Sequence, residues 1–313
     1  MEYEKPKIEF YRQRTFSERL NVTFEFIREN WKPLFKYSFY LIMPVCLIQT
    51  FAMNSFVEVY VNALGMSGGR ADFNDSTTYS ILASNGALVF CSMIGMAVMS
   101  GLIYAMMQTY VTREKRLIDV TLNDFKDIFA KNAWKYIRII IIIMFAFIFV
   151  IFAMIALAYV STTTLILTIP VLIAFMILLI PLMLIIPVYI FERDIKISDV
   201  FKKSWKLGMA TLWGMIGLVI VLNIIASIIQ TVTTLPWYLT VVIGSVFSIT
   251  SESAVNQSVI YKFAIYILGI IQSLGMYISM IIGIVGLAFH YFHAREKVEG
   301  VAIESNISKF DEL

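Results

Sequence analysis

Charge is missing from five long stretches of the chain. No Asp, Glu, Lys or Arg occurs in 37–57, 76–112, 139–191, 207–251 or 263–294. A helix needs about 20 apolar residues to cross roughly 30 Å of hydrocarbon, so each stretch has room for at least one span. The run 139–191 has room for two and a turn, whereas 207–251 holds one span and an apolar tail too short for a second. The expected spans are about 33–58, 81–110, 137–160, 165–190, 212–235 and 263–290. Lipid leaves backbone N–H and C=O groups unsatisfied, so all six are read as helices. The expected fold is an all-α polytopic membrane protein.

Composition agrees. Charged residues make up 15% and apolar ones 59% of the 313 positions, against about 25% and 45–50% in soluble domains. A cleavable signal peptide is not expected, because the first apolar stretch begins near residue 33 and is too long. Cys46 and Cys91 fall inside spans and read as small packing residues.

The basic residues give an orientation. Of 25 Lys and Arg, 23 lie in the N-terminal arm through Lys36, in Arg113–Arg138, in Arg193–Lys206 and in the C-terminal tail; Arg70 and Lys262 remain for the other side. The positive-inside rule places the 23, and with them both termini, in the cytoplasm. The expected organisation is a cytoplasmic amphipathic arm (1–32), a six-helix transmembrane domain (33–290) and a cytoplasmic tail (291–313). On the outer side are a polar loop around 59–80, a tight turn at Ser161–Thr164, and a segment from Pro236 to Ser258. Within that segment, 239–249 is too short to span and is expected at the interface or as a re-entrant stretch. Pro236, Trp237 and Tyr238 are expected at headgroup level. Topology explains the positive charge, so nucleic acid is not an expected partner.

A similar pattern precedes each odd-numbered span. Phe16-Ser17-Glu18, Leu122-Asn123-Asp124 and Ile197-Ser198-Asp199 each offer an apolar residue, a helix cap and an acid in the first turn. Amphipathic helices follow. Their apolar stripes are Leu20, Phe24, Ile27, Trp31 and Leu34; then Phe125, Ile128, Phe129 and Ala133; then Val200, Phe201, Ser204, Trp205 and Met209. Opposite them stand Arg19, Arg28 and Lys32, then Lys126, Lys131 and Lys135, then Lys202, Lys203 and Lys206. Trp31, Trp134 and Trp213 mark the entries to the spans. The chain therefore reads as three helical hairpins, each preceded by a cytoplasmic amphipathic helix.

At the fourth span, Pro187-Val188-Tyr189-Ile190-Phe191-Glu192 leads into Val200-Phe201-Lys202-Lys203-Ser204-Trp205-Lys206-Leu207. This resembles the membrane domain of some bacterial glycerophosphodiester phosphodiesterases and of related uncharacterised six-span proteins. The shared pattern is a Pro at the span end, a nearby Glu and a short helix with Ser-Trp-x-Leu. The resemblance implies a six-span fold and a bacterial inner-membrane location. It does not imply hydrolysis, because the soluble metal-binding barrel of those enzymes is not expected in this chain.

Candidate chemistry is sparse. His290, His293 and Glu296 recur at three-residue spacing, but a metal takes three or four ligands and no others are evident. Glu192, Arg193 and Asp194 form a charge cluster beside Pro187. Pro170, Pro181 and Pro187 are expected to kink the fourth span. Gln49, Asn54, Asn85, Gln108, Asn223, Gln230 and Gln272 supply interhelical hydrogen bonds. Ala87, Cys91 and Gly95, and Gly275, Ser279 and Gly283, offer close-packing faces.

No catalytic, cofactor or metal residues are assigned, and an enzyme is not expected. The sequence points to a non-enzymatic envelope component that interacts with lipid or protein. Anionic lipid of the inner leaflet is expected at Lys202, Lys203 and Lys206, with Trp205 as apolar anchor. A protein partner or a second copy is the other expected contact, and the alternative function is a transporter or channel for a neutral or lipid-like substrate.

Overall fold

The computed structural model describes residues 6–63, 74–160, 170, 173, 175, 177–192, 194–250 and 258–301, without the side chains of 62, 157–160 and 247–250. The Ser161–Thr164 turn, Arg70, Arg193, the tail beyond 301 and most of the first half of the fourth span lie outside the described residues. The described structure is helical and contains no strand. Its helices are α1 (Phe16–Glu29), α2 (Trp31–Ala63), α3 (Asp75–Thr112), α4 (Lys126–Val160), α5 (Ile185–Phe191), α6 (Ile197–Ala210), α7 (Leu212–Thr250) and α8 (Val259–Glu299), with 3-10 turns at Leu122–Asp124 and Pro181–Leu184.

Among the described residues, five helices are long and apolar enough to cross a membrane: Trp31–Val61, Asp75–Thr112, Lys126–Ala156, Leu212–Val246 and Val259–Glu299. This is compatible with a multi-pass membrane protein. The expected fourth span is described as the shorter apolar stretch Ile177–Phe191. Pro181 breaks it, opening a 3-10 turn rather than a bend within a continuous helix, as a missing backbone donor favours.

Several expected boundaries move. The second amphipathic stretch is the start of α4 and not a separate helix, because no glycine or proline interrupts Lys126–Val160. The segment 239–249 neither re-enters nor lies apart. It continues α7 straight through Pro236. Trp237 is buried and donates from Nε1 to Asn54 Oδ1 at 3.1 Å, so it is a packing residue, whereas Tyr238 is exposed.

The helix caps also sit earlier. Thr15, not Ser17, caps α1 and forms a capping box with Glu18; Thr121 does the same with Asp124. An acid at the third helical position reaches back to the residue three before it, which fixes the cap at Thr. At α6 the corresponding residue is Lys196, whose side chain makes no cap bond.

The chain forms two compact units. One comprises 1–31, 100–222 and 282–313, the other 32–99 and 223–281. In the second unit, the Tyr277 hydroxyl donates to Gln49 Oε1, Thr50 and Ser273 meet at 3.4 Å, and Cys46 and Cys91 are buried free thiols. Gly95 leaves the room that the Tyr277 ring takes, and Gly275 lies against Thr233, so a side chain at either glycine would collide. Gly283 faces open space, and Ala87 is exposed, so the expected close-packing stripes hold only in part. The first unit carries most of the polar chemistry.

Candidate functional site

Within the first unit, an N-terminal arm is fastened residue by residue. Lys7 Nζ donates to the Val111 and Arg113 carbonyls at 2.6 and 3.3 Å, capping the C-terminal end of α3 as a cation does best. The Ile8 N–H donates to the Tyr110 hydroxyl at 3.1 Å. Phe10 inserts among Tyr110, Phe289 and Phe292 at ring separations of 5.8, 5.3 and 5.0 Å. Edge-to-face and offset pairs of this kind add about 0.5–1.5 kcal/mol each beyond burial.

Three polar clusters follow. In the first, Glu29 accepts from Arg116 at 2.6 Å and from the Tyr110 hydroxyl at 3.1 Å. In the second, Glu192 Oε1 accepts from Lys203 at 2.7 Å, Arg295 at 3.3 Å and the Tyr291 hydroxyl at 2.9 Å. Glu299 closes that cluster, meeting Lys203 at 2.9 Å and Arg295 at 3.0 Å. Two acids and two bases balance, and the Glu192 and Lys203 side chains are 13% and 21% exposed. A network this shielded fixes geometry more surely than it adds net stability. It also joins the two halves of the Pro187–Leu207 pattern.

The third cluster holds the histidines. Arg19 Nη1 lies 2.6 Å from His290 Nδ1, and His290 Nε2 lies 3.1 Å from the Thr211 hydroxyl, which donates to the Leu207 carbonyl at 2.8 Å. A guanidinium only donates, so Nδ1 is the acceptor and the proton sits on Nε2. His293 Nδ1 accepts from the Arg14 N–H at 3.0 Å. Both Nδ1 atoms are thus occupied by the arm. Among the described residues no three His, Cys, Asp or Glu residues come together to hold a metal. Burial lowers the pKa of Arg14 and Arg19 from the usual arginine value.

Beside these clusters opens a cleft of about 660 Å³. Phe10, Asn132, Tyr189, Ile190 and Phe292 are its buried lining, while Lys131, Asp194, Val111 and Thr112 are exposed. Gln108 Nε2 donates to the Ile190 carbonyl at 3.3 Å, and Asn132 Nδ2 to Gln108 Oε1 at 2.9 Å. Lys135 donates to the Tyr189 carbonyl and lies 4.8 Å over its ring. Tyr11 accepts from Arg295 at 3.1 Å. Burial raises its pKa, so it stays a protonated donor.

The sequence-expected lipid residues separate on α6. Val200, Ser204, Leu207 and Gly208 face inward, and Gly208 lies against the Pro181 backbone. Lys202, Trp205, Lys206 and Met209 are exposed, and their i, i+3, i+4, i+7 spacing makes one face. Lys202 keeps a loose pair with Asp199 at 3.7 Å. Lys203 turns instead onto Glu192 and Glu299. The expected α6 stripe is therefore split between two sides. On α1 the buried face is Arg19, Val22, Thr23, Phe26 and Asn30, while Leu20, Phe24 and Ile27 are half-buried and Trp31 is exposed. Arg19 lies on the buried face and not the solvent face expected for it.

Family models, curated proteins and solved structures yield no match to this chain.

Proposed function

We propose that this chain is a six-span, non-enzymatic protein of the bacterial inner membrane that holds anionic lipid on its cytoplasmic side. The observation that carries the reading is the outward face of α6. Lys202 and Lys206 flank Trp205 and Met209, and all four are exposed. A helix lying in the interface buries apolar side chains in the acyl boundary while its lysines meet lipid phosphate. Each basic residue there contributes on the order of 1 kcal/mol. Trp31, Trp134 and Trp213 are 53%, 54% and 83% exposed at the entries to α2, the apolar part of α4 and α7, as interfacial anchors are.

The five long helices, with the Pro181-broken segment read as the fourth span, support a layout of six spans in three hairpins. The charge count supports both termini inside. The resemblance of Pro187–Glu192 and Val200–Leu207 to the phosphodiesterase-associated membrane domain supports the same layout. Among the described residues the apolar part of α4 is almost wholly uncovered, with Phe145, Phe149 and Phe152 each at least 65% exposed, a surface for lipid, a protein partner or a second copy.

One observation favours the alternative, a transporter or channel for a neutral or lipid-like substrate. Broken helices such as the one at Pro181 build substrate sites in transporters. Proteoliposomes decide between the two. The lipid-holding reading expects anionic lipid to co-purify and no flux of solute or labelled lipid above empty vesicles; flux would overturn it.

A further inference from the structure

We propose that the cleft between the arm, α3, α4 and α5 is a binding site for a phosphate-bearing amphiphile. The proposal rests on the lipid-holding reading for the source of the ligand, but its site is distinct from the outward face of α6. Its volume of about 660 Å³ falls within the roughly 300–1,000 Å³ typical of ligand sites.

Charge decides the class of ligand. Lys131 and Lys135 stand one turn apart on α4 and both line the cleft. Lys131 is exposed and has no carboxylate within ion-pair distance among the described residues. Among the described residues Lys135 donates to the Tyr189 carbonyl and is attracted by Asp194 at the rim, and its ammonium keeps protons to donate. Glu192 also lines the cleft, but Lys203, Arg295 and Tyr291 already engage it. The polar network therefore takes up the one acid that would cancel the lysines from deep in the wall, leaving Asp194 at the exposed rim. Tyr11, on the same wall, accepts from Arg295 and still has its own proton to give. Donors outnumber free acceptors, which suits a phosphate and not a sugar or an amine.

The remaining wall is apolar and largely aromatic, with Phe10, Tyr189, Phe191 and Phe292 beside Ile128 and Ile190. Such a surface fits the glycerol backbone and first methylenes of a lipid. It offers a water-soluble phosphate ester little beyond its phosphate contacts.

The test uses the full chain in phosphatidylcholine nanodiscs with three probes: dioctanoyl phosphatidylglycerol, glycerol 1-phosphate and dioctanoylglycerol. Saturable binding of the first is expected, with little of the third. Lys131→Gln should weaken it about fivefold, the equivalent of about 1 kcal/mol per basic residue. Ile128→Trp, which fills the cleft without changing charge, should abolish it. Should that variant fail to fold, Lys131→Glu at the exposed rim gives the same reading. Glycerol 1-phosphate binding as tightly as the lipid would keep the phosphate site and assign it to soluble esters. Lys202→Gln/Lys206→Gln should leave the saturable site intact. Loss of binding in that variant alone, with Lys131→Gln and Ile128→Trp unchanged, would overturn the cleft and leave the lipid-holding face standing. Absence of saturable binding to any phosphate probe would likewise overturn it.

Discussion

Arg19 and His290, 271 positions apart in the chain, meet with guanidinium Nη1 2.6 Å from imidazole Nδ1. The contact makes the histidine a neutral acceptor and the arginine a buried cation held by neutral groups, since among the described residues Arg19 otherwise donates to the Thr15 and Gly214 carbonyls and lies over the Phe16 ring. The arm is thereby tied to the C-terminal part of α8 and the start of α7. His290→Ala leaves a buried guanidinium donor unsatisfied, which costs about 1–3 kcal/mol. His290→Asn places an amide oxygen near the position of Nδ1 and should lose less. Thermal unfolding of the purified variants in detergent measures both, and equal losses would contradict the assigned acceptor role.

The Glu192 cluster predicts coupling. Glu192→Gln and Lys203→Gln should each destabilise by about 1–3 kcal/mol, because each strands a partner in a shielded place. The double variant should lose less than the sum, with a coupling energy of about 0.5–3 kcal/mol. Lys203→Gln should not change anionic-lipid retention, since its ammonium faces Glu192 and Glu299. Additive losses would mean that the pair contributes no mutual stabilisation.

Ser204 is buried, and among the described residues its hydroxyl has no hydrogen-bond partner. Ser204→Ala should therefore be neutral or slightly stabilising, although Ser204 belongs to the Ser-Trp-x-Leu pattern. A loss of more than about 1 kcal/mol in unfolding experiments would mean that the hydroxyl has a partner in the membrane.

The capping box at α1 gives a pH dependence. The Thr15 N–H and hydroxyl hold the Glu18 carboxyl below its ordinary value. A carboxylate with a lowered folded pKa stabilises fully above its unfolded value, about 4.3 for Glu. That stability is lost as pH falls through the folded value. Protection of the α1 amides from hydrogen exchange should thus drop in acid, and Glu18→Gln should flatten the drop. An unchanged profile in the variant would remove Glu18 as its cause.

Cysteine labelling reads the orientation. Cysteines introduced near Arg70 and Ser253 should react with an impermeant thiol reagent from outside, and those near Lys115, Lys203 and Ser308 should not. Outside labelling at Lys203 would refute the six-span layout.

Much of this fold was legible in the sequence, because a charge-free run of more than 20 residues suits hydrocarbon and little else. Five of the expected spans fall on helices, each extending beyond the expected span at one or both ends. The amphipathic faces were harder. A helix in the interface meets protein, lipid and water, so one apolar stripe cannot say which side is buried. On α6 the residues Val200 and Trp205 both belong to the apolar stripe yet face opposite ways. In the sequence Arg19 reads as a surface charge, because its acceptor lies near the far end of the chain. The cleft drew no sequence signal, since Tyr11, Gln108, Lys131, Tyr189 and Phe292 come from five separate segments. Lys131 was visible only as a member of a basic face.

The lipid-holding face of α6 is tested most directly by native mass spectrometry of the full chain from mixed micelles containing anionic lipid. Wild type is compared with Lys202→Gln/Lys206→Gln and with Trp205→Ala. The double-Gln variant should retain less anionic lipid, and the difference should shrink in high salt, where screening weakens the wild-type contact. Trp205→Ala should weaken lipid retention with little dependence on salt, since it removes an apolar anchor and no charge. Equal retention of anionic lipid by wild type and the double-Gln variant at low salt would contradict the account and leave α6 as scaffold alone.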